Sequence, residues 1–209
     1  MISPAASPSR RLLVHPLLVR LTHWINAFAI VCMVMSGWQI YDASPIFAFT
    51  FPPALTIGGW LGGAIAVHLA AMWLLVGNAL VYVAYGFLSG HFRRSFLPLR
   101  LQEILRDLAL ALTFRLPHAA GRYNAVQRAM YVGVLLCGVL VVASGLAVWK
   151  PVQFDFLANL FGGFDFARVV HFGAMAGIVA FIVVHLLLVL LVPRTLPAMI
   201  TGRAKGEQA

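Results

Sequence analysis

The sequence predicts an all-α integral membrane protein: a four-transmembrane-helix bundle with both termini cytoplasmic and a short interfacial helix between spans two and three. Three observations carry this prediction. The 209 residues are 62% hydrophobic and only 10% charged, far from the roughly 25% charged residues of a soluble domain. Four apolar runs, residues 18–41, 56–88, 125–149 and 166–192, reach the length of about 20 residues that a spanning helix needs. Thirteen of the fifteen basic residues fall in the N-terminal flank, the long second connection and the tail, or at their borders. Basic residues collect on the cytoplasmic side, so both termini belong there.

Residues 1–11 are short, polar and basic, but the apolar run behind them is too long for a signal peptide and carries His23, so it is a retained first span. Residues 42–55 form an outer loop in which Pro45, Pro52 and Pro53 exclude regular helix. The second and fourth runs exceed the minimum span and predict tilt or protrusion. Residues 97–112 alternate Leu97, Leu101, Ile104, Leu105, Leu108 and Leu112 with Arg100, Glu103, Arg106 and Asp107. That 3.6-residue period with a basic polar face predicts a helix lying on the cytoplasmic membrane surface. Gly162 and Gly163 break the chain before the fourth span, which ends at Pro193, and a loosely ordered tail follows. The whole chain, residues 1–209, is one membrane domain. Its net charge of +9 sits at span borders, which suits lipid headgroups and not nucleic acid. Cys32 and Cys137 lie in apolar runs and give neither a CxxCH nor a zinc spacing.

Four histidines carry the chemistry. Ionisable side chains inside a bilayer are functional candidates by default. His171 and His185 are fourteen residues apart on one run, a rise of about 21 Å and nearly four whole turns, so both leave one helix face. Sorted by depth, His23 pairs with His185 near the cytoplasmic face. His68 pairs with His171 near the outer face, provided span two tilts or protrudes. These pairs predict two bis-histidine b-type haems, with the four histidines binding the haem irons. Arg20 and Arg168 each lie one turn outside a histidine, where a guanidinium suits a haem propionate or a lipid headgroup. Gly37, Gly59, Gly62, Gly63, Gly138, Gly145, Gly173 and Gly177 leave room either for porphyrin or for close helix contact. His15, His91 and His118 lie in polar flanks and have no expected ligand role. Met33, Met35 and Met72 are ordinary core filling. No catalytic nucleophile, phosphate loop or carboxylate pair is present.

With these histidines, the strings VRLTHWINA, MSGWQIY, GRYNAVQRAMY and TLPAMITGR resemble the prokaryotic cytochrome b561-like superfamily. That group supplies the b-type cytochrome subunits of bacterial hydrogenase, formate dehydrogenase and molybdopterin oxidoreductase complexes. The resemblance implies an inner-membrane electron-transfer subunit, one that links a periplasmic molybdopterin, nickel–iron or iron–sulfur protein to membrane quinone. Its strings point most to molybdopterin partners of the sulfite-oxidase type. It also implies a quinone site near the cytoplasmic haem, with Asn124 and Gln127 as candidates, although Val126 stands where the family often has glycine. Asn124 suits a helix N-cap equally well. One alternative is a free-standing cytochrome oxidising superoxide with quinone. Such proteins tend to carry a histidine on span three, and this span has none. A haem-free transporter or anchor is the other, but all six acidic residues lie outside the predicted spans.

Overall fold

The computed structural model describes residues 11–13, 15–90, 99–113, 124–191, 193 and 196–205. Four long helices dominate: α1 (Leu17–Ala43), α2 (Leu61–Leu88), α4 (Ala125–Trp149) and α6 (Phe164–Leu191). Between and after them lie α3 (Leu101–Leu112), α5 (Asp155–Leu160) and α7 (Leu196–Thr201). All four long helices are long and apolar enough to cross a membrane. A bilayer offers no partner for backbone polar groups, so a helix, which satisfies its own, is the spanning form these runs adopt. At 25 to 28 residues each rises about 37–42 Å, more than the hydrocarbon thickness of about 30 Å, so tilt or protrusion is required.

The helices pair closely as α1 with α2 and α4 with α6. Their interiors are lined by small residues: Ala29, Ser36, Ala64, Ala71, Ser144, Ala147, Ala167 and Ala174 are buried. Large apolar side chains, among them Phe28, Trp73, Leu80, Leu136, Val139 and Leu190, are exposed on the outside. Lipid tails give apolar side chains no reason to turn inward, and small residues let backbones approach. This is a membrane bundle by its packing as well as its length. A buried amide adds a clasp within the first pair. Asn78 Nδ2 on α2 donates to the Thr22 carbonyl at 2.7 Å and to Asn26 Oδ1 at 2.7 Å.

Several expectations need correction. Span two begins at Leu61, not residue 56, because Pro53–Leu55 forms a 3₁₀ turn and Gly58 and Gly59 take positive φ before the helix starts. The tail is not loosely ordered through its described part. α7 is followed by a strand, β2 (Arg203–Lys205), which pairs antiparallel with β1 (Arg11–Leu13). This ladder is a small addition to an otherwise helical fold. The ordering comes from backbone acceptors: Arg20 donates to the Ile200 carbonyl, and Trp24 Nε1 to the Met199 carbonyl at 3.4 Å.

α3 forms within the stretch the period marked, and residues 97 and 98 lie outside the described residues. Its acids are not simply a solvated face. Asp107 is buried and its Oδ2 accepts from the Ala125 amide at 2.9 Å, while Glu103 pairs with Arg128 at 3.2 Å. A carboxylate at the positive end of α4 complements the helix dipole and one of its unpaired N–H groups. α3 is thereby tied to the start of α4.

Candidate haem-binding histidine pairs

The ends of the bundle are called inner, where α7 and the ladder lie, and outer, after the orientation the arginines predict. At the outer end the α1–α2 connection folds back as an aromatic cap. Phe47, Phe49 and Phe51 surround Tyr41 with Phe172 of α6, and Trp38 stacks on Phe51 at 4.6 Å. The Tyr41 hydroxyl accepts from the Phe47 amide at 3.1 Å and donates to its carbonyl at 3.2 Å. Asp42 Oδ1 accepts from the Phe51 amide at 2.9 Å. The cap adjoins His171 through its neighbour Phe172.

The histidines meet as the depth argument requires. His68 of α2 and His171 of α6 have ring centroids 6.4 Å apart, and His23 of α1 and His185 of α6 have theirs 6.1 Å apart. A metal–imidazole bond is about 2.0–2.1 Å, and a ring nitrogen lies about 1.1 Å from the ring centre. Two imidazoles on opposite sides of one iron therefore have centroids about 6.3 Å apart. Both separations fit that value.

The outer pair also has its ring nitrogens sorted. Ser36 Oγ donates to the Cys32 carbonyl at 2.6 Å, leaving its lone pairs to accept from His68 Nδ1 at 3.0 Å. The Met33 carbonyl, an obligatory acceptor, also lies 3.1 Å from Nδ1. Nδ1 therefore carries the proton, and the Nε2 lone pair is free for a metal. His171 repeats the arrangement: Ser144 Oγ donates to the Leu140 carbonyl at 2.6 Å and lies 3.2 Å from His171 Nδ1. Each serine precedes a glycine against the same ring. A Cβ on Gly37 would stand 3.4 Å from His68 Cε1, and one on Gly145 would stand 3.0 Å from His171 Cε1. The repeated Ser-Gly dipeptide was legible in the chain but carries no meaning until its register with the histidines is known.

The inner pair is lined differently. Trp24 packs edge-on to His23 at 5.3 Å, and Phe181 stacks on His185 at 5.8 Å. The Asn78 clasp holds the turn of α1 that carries His23 through its neighbour Thr22.

Two donors near the histidine pairs are left over. Arg20 Nε and Trp38 Nε1 are buried without a hydrogen-bond partner among the described residues. A buried donor left unpaired costs about 1–3 kcal/mol, so both suit an acceptor such as a carboxylate. Trp38 was not anticipated. Arg168 instead donates to the Ser44 carbonyl and hydroxyl.

The pattern describing prokaryotic cytochrome b561 matches residues 14–202. The chain belongs to the prokaryotic cytochrome b561 family. Membership implies a b-type haem, and imidazoles in two facing pairs are a donor set that suits such a group. This cytochrome is 50% identical over 190 residues to a protein of Azospira oryzae named as YedZ1, a protein-methionine-sulfoxide reductase subunit. That match covers 90% of this chain and 96% of the relative. It is 24% identical over 185 residues to a protein of Bradyrhizobium diazoefficiens named as a Ni/Fe-hydrogenase B-type cytochrome subunit, covering 80% and 73% respectively.

Other expected residues sit elsewhere. Asn124 and Gln127 form a reciprocal cap at the start of α4: Asn124 Oδ1 accepts from the Gln127 amide at 2.8 Å and Gln127 Oε1 accepts from the Asn124 amide at 3.1 Å. The cap uses both side-chain oxygens and neither side-chain NH₂. Gly62 and Gly63 serve the turn before α2, where a Cβ would strike the Trp60 ring or the Gly58 carbonyl. Gly177 serves close contact with Cys137. His91 and His118 lie outside the described residues.

Proposed function

We propose that this cytochrome is a di-haem electron-transfer subunit of the bacterial inner membrane, linking a periplasmic redox enzyme to the quinone pool. The facing of His23 with His185 and of His68 with His171, at separations that suit one iron each, is the observation that supports it. Bound haem supplies one-electron chemistry near each membrane face. The chain's part is ligation through four imidazoles, orientation of the outer rings by Ser36 and Ser144, and exclusion of water by the aromatic cap. Both termini and the arginine-rich connection would face the cytoplasm, a reading that the distribution of basic residues supports.

For the partner, we favour a periplasmic molybdopterin oxidoreductase, with methionine sulfoxide reduction as the leading activity on the strength of the relative from Azospira oryzae. Quinone would exchange electrons with the inner pair. An apolar groove between α4 and α6, lined by Met130, Val134, Cys137, Gly177 and Phe181, supports this because Phe181 also stacks on His185. The NH₂ groups of Asn124 and Gln127, which the cap does not use, lie one to two turns before Met130 and are suited to donate to a quinone carbonyl.

The test is quinol-driven haem reduction in Asn124→Ala and Gln127→Ala proteins of verified haem content. Reduction is expected to slow about ten-fold in each, the cost of one polar contact in a partly dry pocket. Gln127→Ala disturbs the cap less than Asn124→Ala, so a defect confined to Asn124→Ala with reduced thermal stability would assign these residues to capping alone. Wild-type rates in both would remove the quinone site from this end of α4.

A further inference from the structure

The two histidine pairs differ in what holds their outward-facing nitrogens, and that difference has a redox consequence. At the outer pair, each Nδ1 meets a fully buried serine hydroxyl whose own proton is committed to a backbone carbonyl one turn back in its helix. At the inner pair, among the described residues, neither His23 nor His185 has a ring nitrogen in such a bond, and the ring neighbours are Trp24 and Phe181.

We infer that Ser36 and Ser144 are positioning residues that lower the reduction potential of the outer haem site relative to the inner one. The inference rests on the di-haem reading. A hydroxyl that has spent its proton on a carbonyl is polarised toward greater negative charge on oxygen, so it is a better acceptor. An Nδ1–H that donates to such an acceptor makes the imidazole a stronger electron donor through Nε2. A more basic axial ligand stabilises ferric over ferrous iron, because the oxidised metal carries the extra positive charge. The effect acts on both sides of the outer iron, since the α1 serine serves His68 and the α4 serine serves His171. Each pairing joins a serine-bearing helix to its closest neighbour, α1 to α2 and α4 to α6. Helix packing within the pairs thus fixes ring tautomer and ring electronics together.

The test is a spectroelectrochemical titration of Ser36→Ala, Ser144→Ala and the double variant in the full-length, haem-loaded protein. His68→Ala and His23→Ala proteins, each retaining one haem, assign the two waves. Alanine keeps the helix and the small volume, and the Met33 carbonyl still holds the His68 ring, so haem content is expected to stay at the wild-type level. The outer potential is expected to rise in each single variant and further in the double, with the inner potential unmoved. Ser36→Thr, which restores the hydroxyl, is expected to return the potential toward the wild-type value. Two haems with unshifted potentials in the double variant would overturn the inference and leave the ligation scheme intact. So would loss of the outer haem in the double variant, which would make the serines structural. A wild-type protein without two haem waves would overturn the di-haem reading itself.

Discussion

Replacing His171 or His68 with alanine is expected to remove the outer haem and leave the inner one in place; His23→Ala or His185→Ala is expected to do the reverse. Each pair shares one iron in this account, so losing either imidazole opens an axial position and leaves its partner as a buried, half-used ligand. The remaining pair keeps its own geometry because only α6 is common to both, and its two histidines are about 21 Å apart along the helix. Haem per chain should fall by half in every single variant, and His68→Ala/His185→Ala should abolish it. Thermal stability should fall with it, since a bound cofactor stabilises the folded state by mass action. Absorption difference spectra of the four single variants check this. Equal loss of both spectral components from any one substitution would contradict the pairing.

Gly145→Val is expected to displace the outer haem almost as completely as removing its ligand. The Cβ alone would stand 3.0 Å from His171 Cε1 and 3.3 Å from Nδ1. The ring must then move, and the branched methyls beyond Cβ forbid a small adjustment. Overpacking a fitted site costs about 1–3 kcal/mol, and here the strain falls on a ligand whose position decides occupancy. Gly138→Val, two turns away on the same helix, supplies the control, because a Cβ there meets nothing within 4 Å. The expected result is near-normal haem in Gly138→Val and loss of at least ten-fold in outer-haem occupancy in Gly145→Val, read by difference spectroscopy on purified protein. Normal outer haem in Gly145→Val would show that His171 does not need the position it occupies.

The sequence made the bundle legible because two of its signals are nearly free of tertiary context. A run of apolar residues without charge has one solution in a bilayer, and α4 begins and ends at the expected residues. Histidine in such a run is rare and costly, so spacing on α6 was enough to anticipate both pairs. What stayed hidden depends on register between elements. Ser36 and Ser144 look like ordinary helix-packing residues until His68 and His171 are laid against them. Asp107 belongs to the polar face of an amphipathic helix by pattern, yet its carboxylate is buried against the start of α4. Asn78 and Asn26 find one another across fifty-two positions of sequence. The tail carries no strong periodicity, because what orders it is hydrogen bonding of its backbone carbonyls to Arg20 and Trp24.

Haem stoichiometry decides whether both histidine pairs bind iron. A pyridine-haemochrome assay on the purified wild-type protein, scaled to chain concentration by amino-acid analysis, measures it directly. Two b-type haems per chain is the predicted result. One haem per chain, or none, in a protein that retains its helical circular dichroism would contradict the assignment of His23 with His185 and His68 with His171 as two iron-binding pairs.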